Sequence, residues 1–411
     1  MTNVTKQLRI FYTRIITSIA FMPAIIAVGF LFLSWAMLEL DFSEFGKHIK
    51  SNAGWLSLKD ASTARSIIST VAGAVLSLTV FSFSMVMIVL NQAASQMSNR
   101  VLTSMIQNRF QQVILGFYIG TIVYALFLLS TIRDISSGIY VPSLSVYLLI
   151  IFTVIDIFLF IYFLDYVTKT VKYETVIKRI QDKTHHSISG TFKEGAIFNE
   201  GTSSLPFSAI KAPHSNYFQG FNEKALLQIA AENDIYFHFM YKRSTHIVSG
   251  NIFLRVYCKE TIDDAKVKEI LGAVDFYNGQ PITRNADYGF MQLAEVALKA
   301  LSPGINDPAT AVISLNALAD ILAKRLYSTL PQTIYDDKGT ARIYCPATTF
   351  EDIFNKCIVP IWHYGKEDPY IQSEMPLVLN QLKEADQRKK YTKLFDDLLV
   401  KIKTVNGVSD A

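Results

Sequence analysis

The residues best suited to chemistry sit in and around a short insert. SPGINDP, residues 302–308, separates two apolar-periodic helical runs in ALKALSPGINDPATAVISL. Asp307 before Pro308 fits a helix start, because the carboxylate accepts free first-turn N–H groups and proline suits the first helical position. Pro303 and Gly304 stop the preceding helix. Capping leaves Asn306 unexplained, and also Arg284 and Asp287, which stand ahead of the first run in ITRNADYGF. Two helix N-termini offer unpaired N–H groups that could bind an anion. Arg284, Asp287, Ser302, Asn306 and Asp307 are therefore the candidate site for a small ion or anionic ligand, set against a plain hydrogen-bonded corner.

A second candidate lies in apolar sequence. Asp156 sits inside FTVIDIFLF with no Lys or Arg in any nearby apolar run. A carboxylate in hydrocarbon costs a few kcal/mol or more unless protonated, paired or hydrated. Protonation, or hydrogen bonding to Ser or Thr of the second apolar run, would relieve it. That second run carries a small, polar seam. At about 100° per residue, Ser66, Thr70, Gly73, Ser77, Ser84, Asn91, Ser95 and Ser98 fall within roughly 40° of one line. Such a seam fits close helix–helix packing, in which small residues let backbones approach. It also fits a water-facing helix in an oligomeric pore. The two readings are compatible if the contact is made between copies.

Other chemistry is thin. His185 and His186 are adjacent, and neighbouring residues on a helix project in different directions, so a shared metal is not expected. No HExxH spacing, phosphate-binding glycine loop, dinucleotide fingerprint or nucleophile elbow is present. Cys258, Cys345 and Cys357 form no CxxC pair, which fits a reducing compartment and gives neither a disulfide framework nor a zinc site. No metal, cofactor or catalytic residue is expected. The net charge of +4 is weak, and no nucleic-acid partner is expected.

The elements that must position these residues follow from composition. Half of the 411 residues are apolar and 18% are charged, which suggests a membrane part joined to a soluble part. Residues 15–38, 66–90, 113–132 and 142–166 are long enough to cross ~30 Å of hydrocarbon. The first is too long for a signal peptide, and Pro23 inside it predicts a bend. Basic residues concentrate on the side of both termini: Lys6, Arg9, Arg14, Arg100, Arg109, Lys169, Lys172, Lys178, Arg179 and Lys183 lie there, against Lys47, Lys50, Lys59, Arg65 and Arg133. This predicts an inner-membrane protein with cytoplasmic N- and C-termini and an outer loop at residues 39–65. The second helix is expected to continue past the membrane through NQAASQMSNR.

Residues 1–170 thus read as a four-helix transmembrane domain and 171–411 as a cytoplasmic α+β domain. In the latter, HSNYFQGF, IYFHFMYK, NIFLRVYC and ARIYC read as strands. NEKALLQIAAEND, capped by Asn222, and DDAKVKEILGAVDFY read as helices, and Gly250 reads as a positive-φ turn residue. Residues 182–205 read as a linker or loose loop, and residues 349–404 as mostly helical.

The segment ALSPGINDPATA closely resembles the signature of a bacterial family of predicted membrane proteins, the domain of unknown function twenty-two fifty-four. NQAASQMSNRVL, QQVILGFYIGTIVYALFLL, SNYFQGFNEKAL and ADYGFMQLAEVALKAL share the resemblance. It runs over most of the chain from the second span to about residue 322. It implies an integral membrane protein in bacteria and brings no assigned activity. The expected function is an oligomeric channel or transport protein with a regulatory cytoplasmic domain. The alternative is a membrane-anchored sensor or scaffold with no transport path; an enzyme ranks third. The expected partners are the lipid bilayer, further copies of the chain, and a small ion or anionic ligand.

Overall fold

The computed structural model describes residues 18, 20–52, 58, 60–96, 109–132, 141–170, 172–188, 205–279, 282–328 and 331–405. The chain divides into two compact units, Met1–Thr175 and Val176–Ala411.

The first unit is helical. It contains α1 (Phe21–Phe42), α2 (Glu44–Asn52), α3 (Ala61–Gln96), α4 (Arg109–Thr131) and α5 (Ser143–Thr170), and α6 (Tyr173–Ile188) begins at its end. Among the described residues, α1, α3, α4 and α5 are long and apolar enough to cross a membrane. At 1.5 Å per residue, the 36-residue α3 is about 54 Å long, well beyond ~30 Å of hydrocarbon. It runs unbroken into NQAASQ, as its sequence predicts; Ser98 lies outside the described residues. The expected start of the first span at residue 15 also lies outside them. With α1 beginning at Phe21, Pro23 falls in the first turn, where its missing N–H breaks no helical bond.

Helix α4 is the one the others pack around. It buries Ile114, Tyr118, Tyr124, Ala125 and Leu128. Gly116 and Gly120, spaced i and i+4, bring α1 close. A Cβ on Gly116 would lie 3.1 Å from the Pro23 Cα, and one on Gly120 would lie 2.7 Å from the Phe30 ring. The Phe30 ring sits 5.0 Å from those of both Phe117 and Phe152.

Part of the segment 39–65, expected as an outer loop, is helical. Ser43 starts α2, its Oγ accepting from the Gly46 N–H at 3.1 Å. Asp41, fully buried, reaches the N-terminus of α5. Its carboxylate accepts from Leu144 N at 3.1 Å, Ser145 N at 2.8 Å and Ser145 Oγ at 2.5 Å. Lys50 Nζ pairs with it at 3.1 Å. An acid at a helix N-terminus satisfies free N–H groups and favours the helix dipole, so Asp41 staples α1 to α5.

The second unit is α+β. A five-stranded sheet runs in the order β1 (Phe207–Lys211), β5 (Ile252–Tyr257), β3 (Tyr236–Phe239), β8 (Ala341–Tyr344), β7 (Thr333–Tyr335), and a three-stranded sheet in the order β4 (Thr245–Ile247), β2 (Asn216–Phe221), β6 (Val274–Phe276). All described pairings are antiparallel except β3 with β8. Helix α7 (Glu223–Asn233) is capped by Asn222, and Gly250 turns with φ 84°. Phe218, Phe237, Phe239, Phe253 and Val256 build the core at the sheets. Three departures from the sequence reading stand out. DDAKVKEILGAVDFY divides into α8 (Asp264–Gly272) and β6. Strands β1, β4 and β7 were not expected; two of them have three residues, too short for a period to show. Residues 182–188, expected in a linker, complete α6.

The remaining helices are α9 (Asp287–Ala300), α10 (Pro308–Arg325), α11 (Phe350–Gly365), α12 (Pro369–Ala385) and α13 (Thr392–Val405). Their core includes Leu293, Leu315, Phe354, Leu379 and Phe395, all fully buried. Helix α6 lies directly on α9 at Gly289: a Cβ there would stand 1.8 Å from Thr184 Oγ1.

Candidate functional site

The insert at 302–308 is a corner between α9 and α10. Asp307 caps α10, its carboxylate accepting from Thr310 N at 3.1 Å and Thr310 Oγ1 at 2.6 Å. Asn306 has φ 48°, a left-handed conformation that Asn tolerates better than most residues. Ser302 Oγ donates to the Lys299 carbonyl at 2.6 Å. The backbone closes the corner through Asp307 N to Ala300 O at 2.8 Å. The residue types here are thus accounted for by backbone geometry.

Arg284 and Asp287 stand at the opposite end of α9, so the five candidate residues divide into two groups. That end of α9 opens a cleft of about 180 Å³. Its wall brings together the end of α6 (Ser187), the start of α7 (Glu223), the β3–β4 turn (Arg243), the start of α9 (Arg284, Asn285, Asp287), the end of α10 (Arg325) and the chain after β8 (Cys345, Thr348). Arg243 bonds Glu223 at 3.2 Å and lies 5.0 Å over the Phe221 ring. Arg284 is well exposed and holds Asp275 only at 3.4 Å. Arg325 is buried and donates to the carbonyls of Ser328 and Thr348, the latter at 3.0 Å. Asn285 bonds Ser244 Oγ at 2.7 Å and accepts from Asp287 N at 3.0 Å.

The electrostatics follow from this packing. Burial pushes the Asp287 carboxyl above the usual carboxylate range, against the pull of Thr348 and Arg325. Burial also pushes the Cys345 thiol up to about 11, although Arg243 draws it down. That thiol stays protonated near neutral pH, so the cleft contains no activated sulfur nucleophile. The cleft wall combines three arginines with two acidic residues, Glu223 and Asp287. Sequence reasoning missed Arg243 and Arg325, which come from distant turns and helix ends; no local spacing links them to Arg284.

In the helical unit the seam faces away from the fold. Ser66, Thr70, Gly73, Ser77, Ser84 and Asn91 are all exposed. A Cβ on Gly73 would meet nothing within 4 Å. The face that α3 buries lies opposite, with Ile68, Val71, Val75 and Ser82. Close packing within one chain therefore uses Gly116 and Gly120 of α4 rather than Gly73. The GFYIG spacing was the available signal.

Asp156 is fully buried in α5 and points into the bundle. Thr121 of α4 faces it, and Tyr118 of α4 stands near both Asp156 and Ser82 of α3. Among the described residues, neither Asp156 oxygen has a hydrogen-bond partner, nor does Ser82 Oγ or Tyr118 Oη. Four polar side chains from three helices thus share one buried region of an otherwise apolar bundle. His185 pairs with Asp320 at 2.6 Å, and His186 lies exposed beside it.

The chain belongs to the family described as Predicted membrane protein (DUF2254), whose model matches residues 16–381. It is similar to the uncharacterized protein Rv1290c of Mycobacterium tuberculosis and the uncharacterized protein Mb1321c of Mycobacterium bovis. Each is 24% identical over 333 residues, covering 77% of this chain and 63% of the relative. The chain thus spans under two thirds of the length of these curated relatives. No solved structure matches it.

Proposed function

We propose that this membrane protein assembles as a homo-oligomer in which the outward polar face of α3 meets its counterparts and lines a path for ions or small solutes, with the C-terminal unit regulating it. The observation that carries this reading is the position of the seam. Ser66, Thr70, Gly73, Ser77, Ser84 and Asn91 lie exposed, opposite the face by which α3 holds its own bundle. Small residues allow close approach of helices in lipid, and hydroxyls serve a hydrated path. In this reading the protein sits in the bacterial inner membrane with both termini in the cytoplasm, where flanking Lys and Arg concentrate.

The test is flux into liposomes by the purified protein, together with its mass in detergent. Wild type should be oligomeric and should pass small ions, and Gly73→Leu should lose one or both. A monomeric protein that passes nothing would reject the proposal. A second reading, a membrane-anchored sensor or scaffold, draws on one detail. Ser77 Oγ bonds the Gly73 carbonyl of its own helix at 2.9 Å, so that hydroxyl needs no water. The flux measurement separates the two.

A further inference from the structure

We propose that the cleft at the start of α9 binds a small hydroxylated phosphate ester, and that the helix following the fourth span takes part in holding it. This does not rest on transport by the bundle.

Three guanidinium groups from three separate elements line the cleft: Arg243 from the β3–β4 turn, Arg284 ahead of α9, and Arg325 at the end of α10. Each arginine presents a fork of donors suited to an oxyanion. A carboxylate offers two oxygens in one plane, whereas a phosphate offers three terminal oxygens pointing in different directions. Donors from three separate elements suit the second shape. Arg325 is held in place by the Ser328 and Thr348 carbonyls, while the other two arginines are only lightly committed. Arg284 holds a long contact with Asp275, and both of those side chains are more than half exposed. Arg243 pairs with Glu223 at 3.2 Å, also at an exposed contact.

Two carboxylates, Glu223 and Asp287, share the wall. They would repel a bare anion and accept hydrogen bonds from hydroxyl groups. A ligand with a phosphate at one end and hydroxyls at the other satisfies both sets. Size narrows the class further. About 180 Å³ is below the ~300–1,000 Å³ of drug-sized ligand pockets, which suits a short-chain or single-ring sugar phosphate rather than a dinucleotide. Ser187 adds a hydroxyl to the rim, although its Oγ already donates to the Ile282 carbonyl at 2.8 Å. Ser187 lies in the last turn of α6, the helix that follows α5 in the chain. The ligand would therefore touch the segment through which the C-terminal unit continues from the fourth span.

The experiment is calorimetric titration of the full chain in detergent micelles with glycerol 3-phosphate, inorganic phosphate, citrate and glycerol. Saturable binding of glycerol 3-phosphate is expected, weakened about tenfold or more in each of Arg284→Gln and Arg243→Gln, as loss of a charge-assisted fork predicts. Lys299→Gln, at the far end of α9, should bind as wild type does. Thermal unfolding of each variant checks that it is folded. Absence of saturable binding by any probe would overturn the proposal, as would binding that both arginine variants retain. Inorganic phosphate binding as tightly as the ester would overturn the role given to the carboxylates. Citrate binding in place of the ester would overturn the choice of phosphate.

Discussion

Asp41 offers the sharpest quantitative test of the bundle. Its carboxylate is fully buried and takes two backbone N–H groups of α5, the Ser145 hydroxyl and the Lys50 ammonium. Asp41→Ala strands the Leu144 and Ser145 amides at a helix start and leaves the mostly buried Lys50 without its carboxylate. Each buried donor left unmade costs about 1–3 kcal/mol. Breaking a buried ion pair by removing one partner costs about 3–5 kcal/mol. Lys50 also donates to the Asp41 carbonyl at 2.6 Å, a contact the substitution leaves intact. The losses share one carboxylate and do not add, so a total of about 3–5 kcal/mol is expected for Asp41→Ala. Asp41→Asn keeps one acceptor oxygen and should cost roughly half as much. Lys50→Met leaves the carboxylate its three donors and should cost the least of the three. Reversible unfolding in mixed micelles measures each. An Asp41→Ala protein within about 1 kcal/mol of wild type would refute the staple, since a lost buried network must exceed that.

Four further outcomes follow from the geometry. Asp307→Ala should destabilise by about 1 kcal/mol and Asp307→Ser by much less, because Ser also caps, and Asn306→Val should cost about 1–2 kcal/mol for its left-handed backbone; chemical denaturation reports both. Gly120→Leu should disrupt the bundle, since its side chain would enter the Phe30 ring, whereas Gly73→Leu should leave the monomer fold intact; proteolysis of the purified variants compares them. Burial alone would raise the Asp352 carboxyl, but Lys242 and Thr349 hold it down to about 2; a depressed folded value makes its stabilisation complete above the unfolded value of about 4 and lost as pH falls toward 2, so Asp352→Asn should flatten unfolding midpoints across that window. A reporter active only in the cytoplasm, fused after Ala411, should work, and a cysteine at Asn52 should label from outside; labelling of both from one side would contradict the four-span topology.

The sequence made the spans legible because length and hydropathy alone decide them. Asn222 and Asp307 were legible as caps because capping is local, and Gly250 was legible as a turn. What stayed hidden depends on contacts far apart in sequence. Asp41 reads as an acid near a span end, and only its approach to Ser145 makes it a staple. Gly73 reads as a packing glycine, yet the close approaches fall at Gly116 and Gly120. Arg284 and Asp307 look like neighbours across one helix, but the 14 residues of α9 hold them about 20 Å apart along its axis. Arg243 and Arg325 share a cleft with Arg284 through tertiary packing that no spacing encodes.

The central claim, that the α3 seam faces a hydrated interface between copies, is tested most directly by single cysteines at Thr70, Ser77 and Ser84 in a chain lacking Cys258, Cys345 and Cys357. Those native thiols are buried, so their replacement by Ala or Ser is checked first for a folded protein. A membrane-impermeant thiol reagent should modify the seam cysteines in liposomes, and oxidation should cross-link one copy to another. A cysteine at Phe158, exposed on α5 in an apolar surround, should do neither. Seam cysteines as silent as Phe158→Cys in both assays would contradict the account.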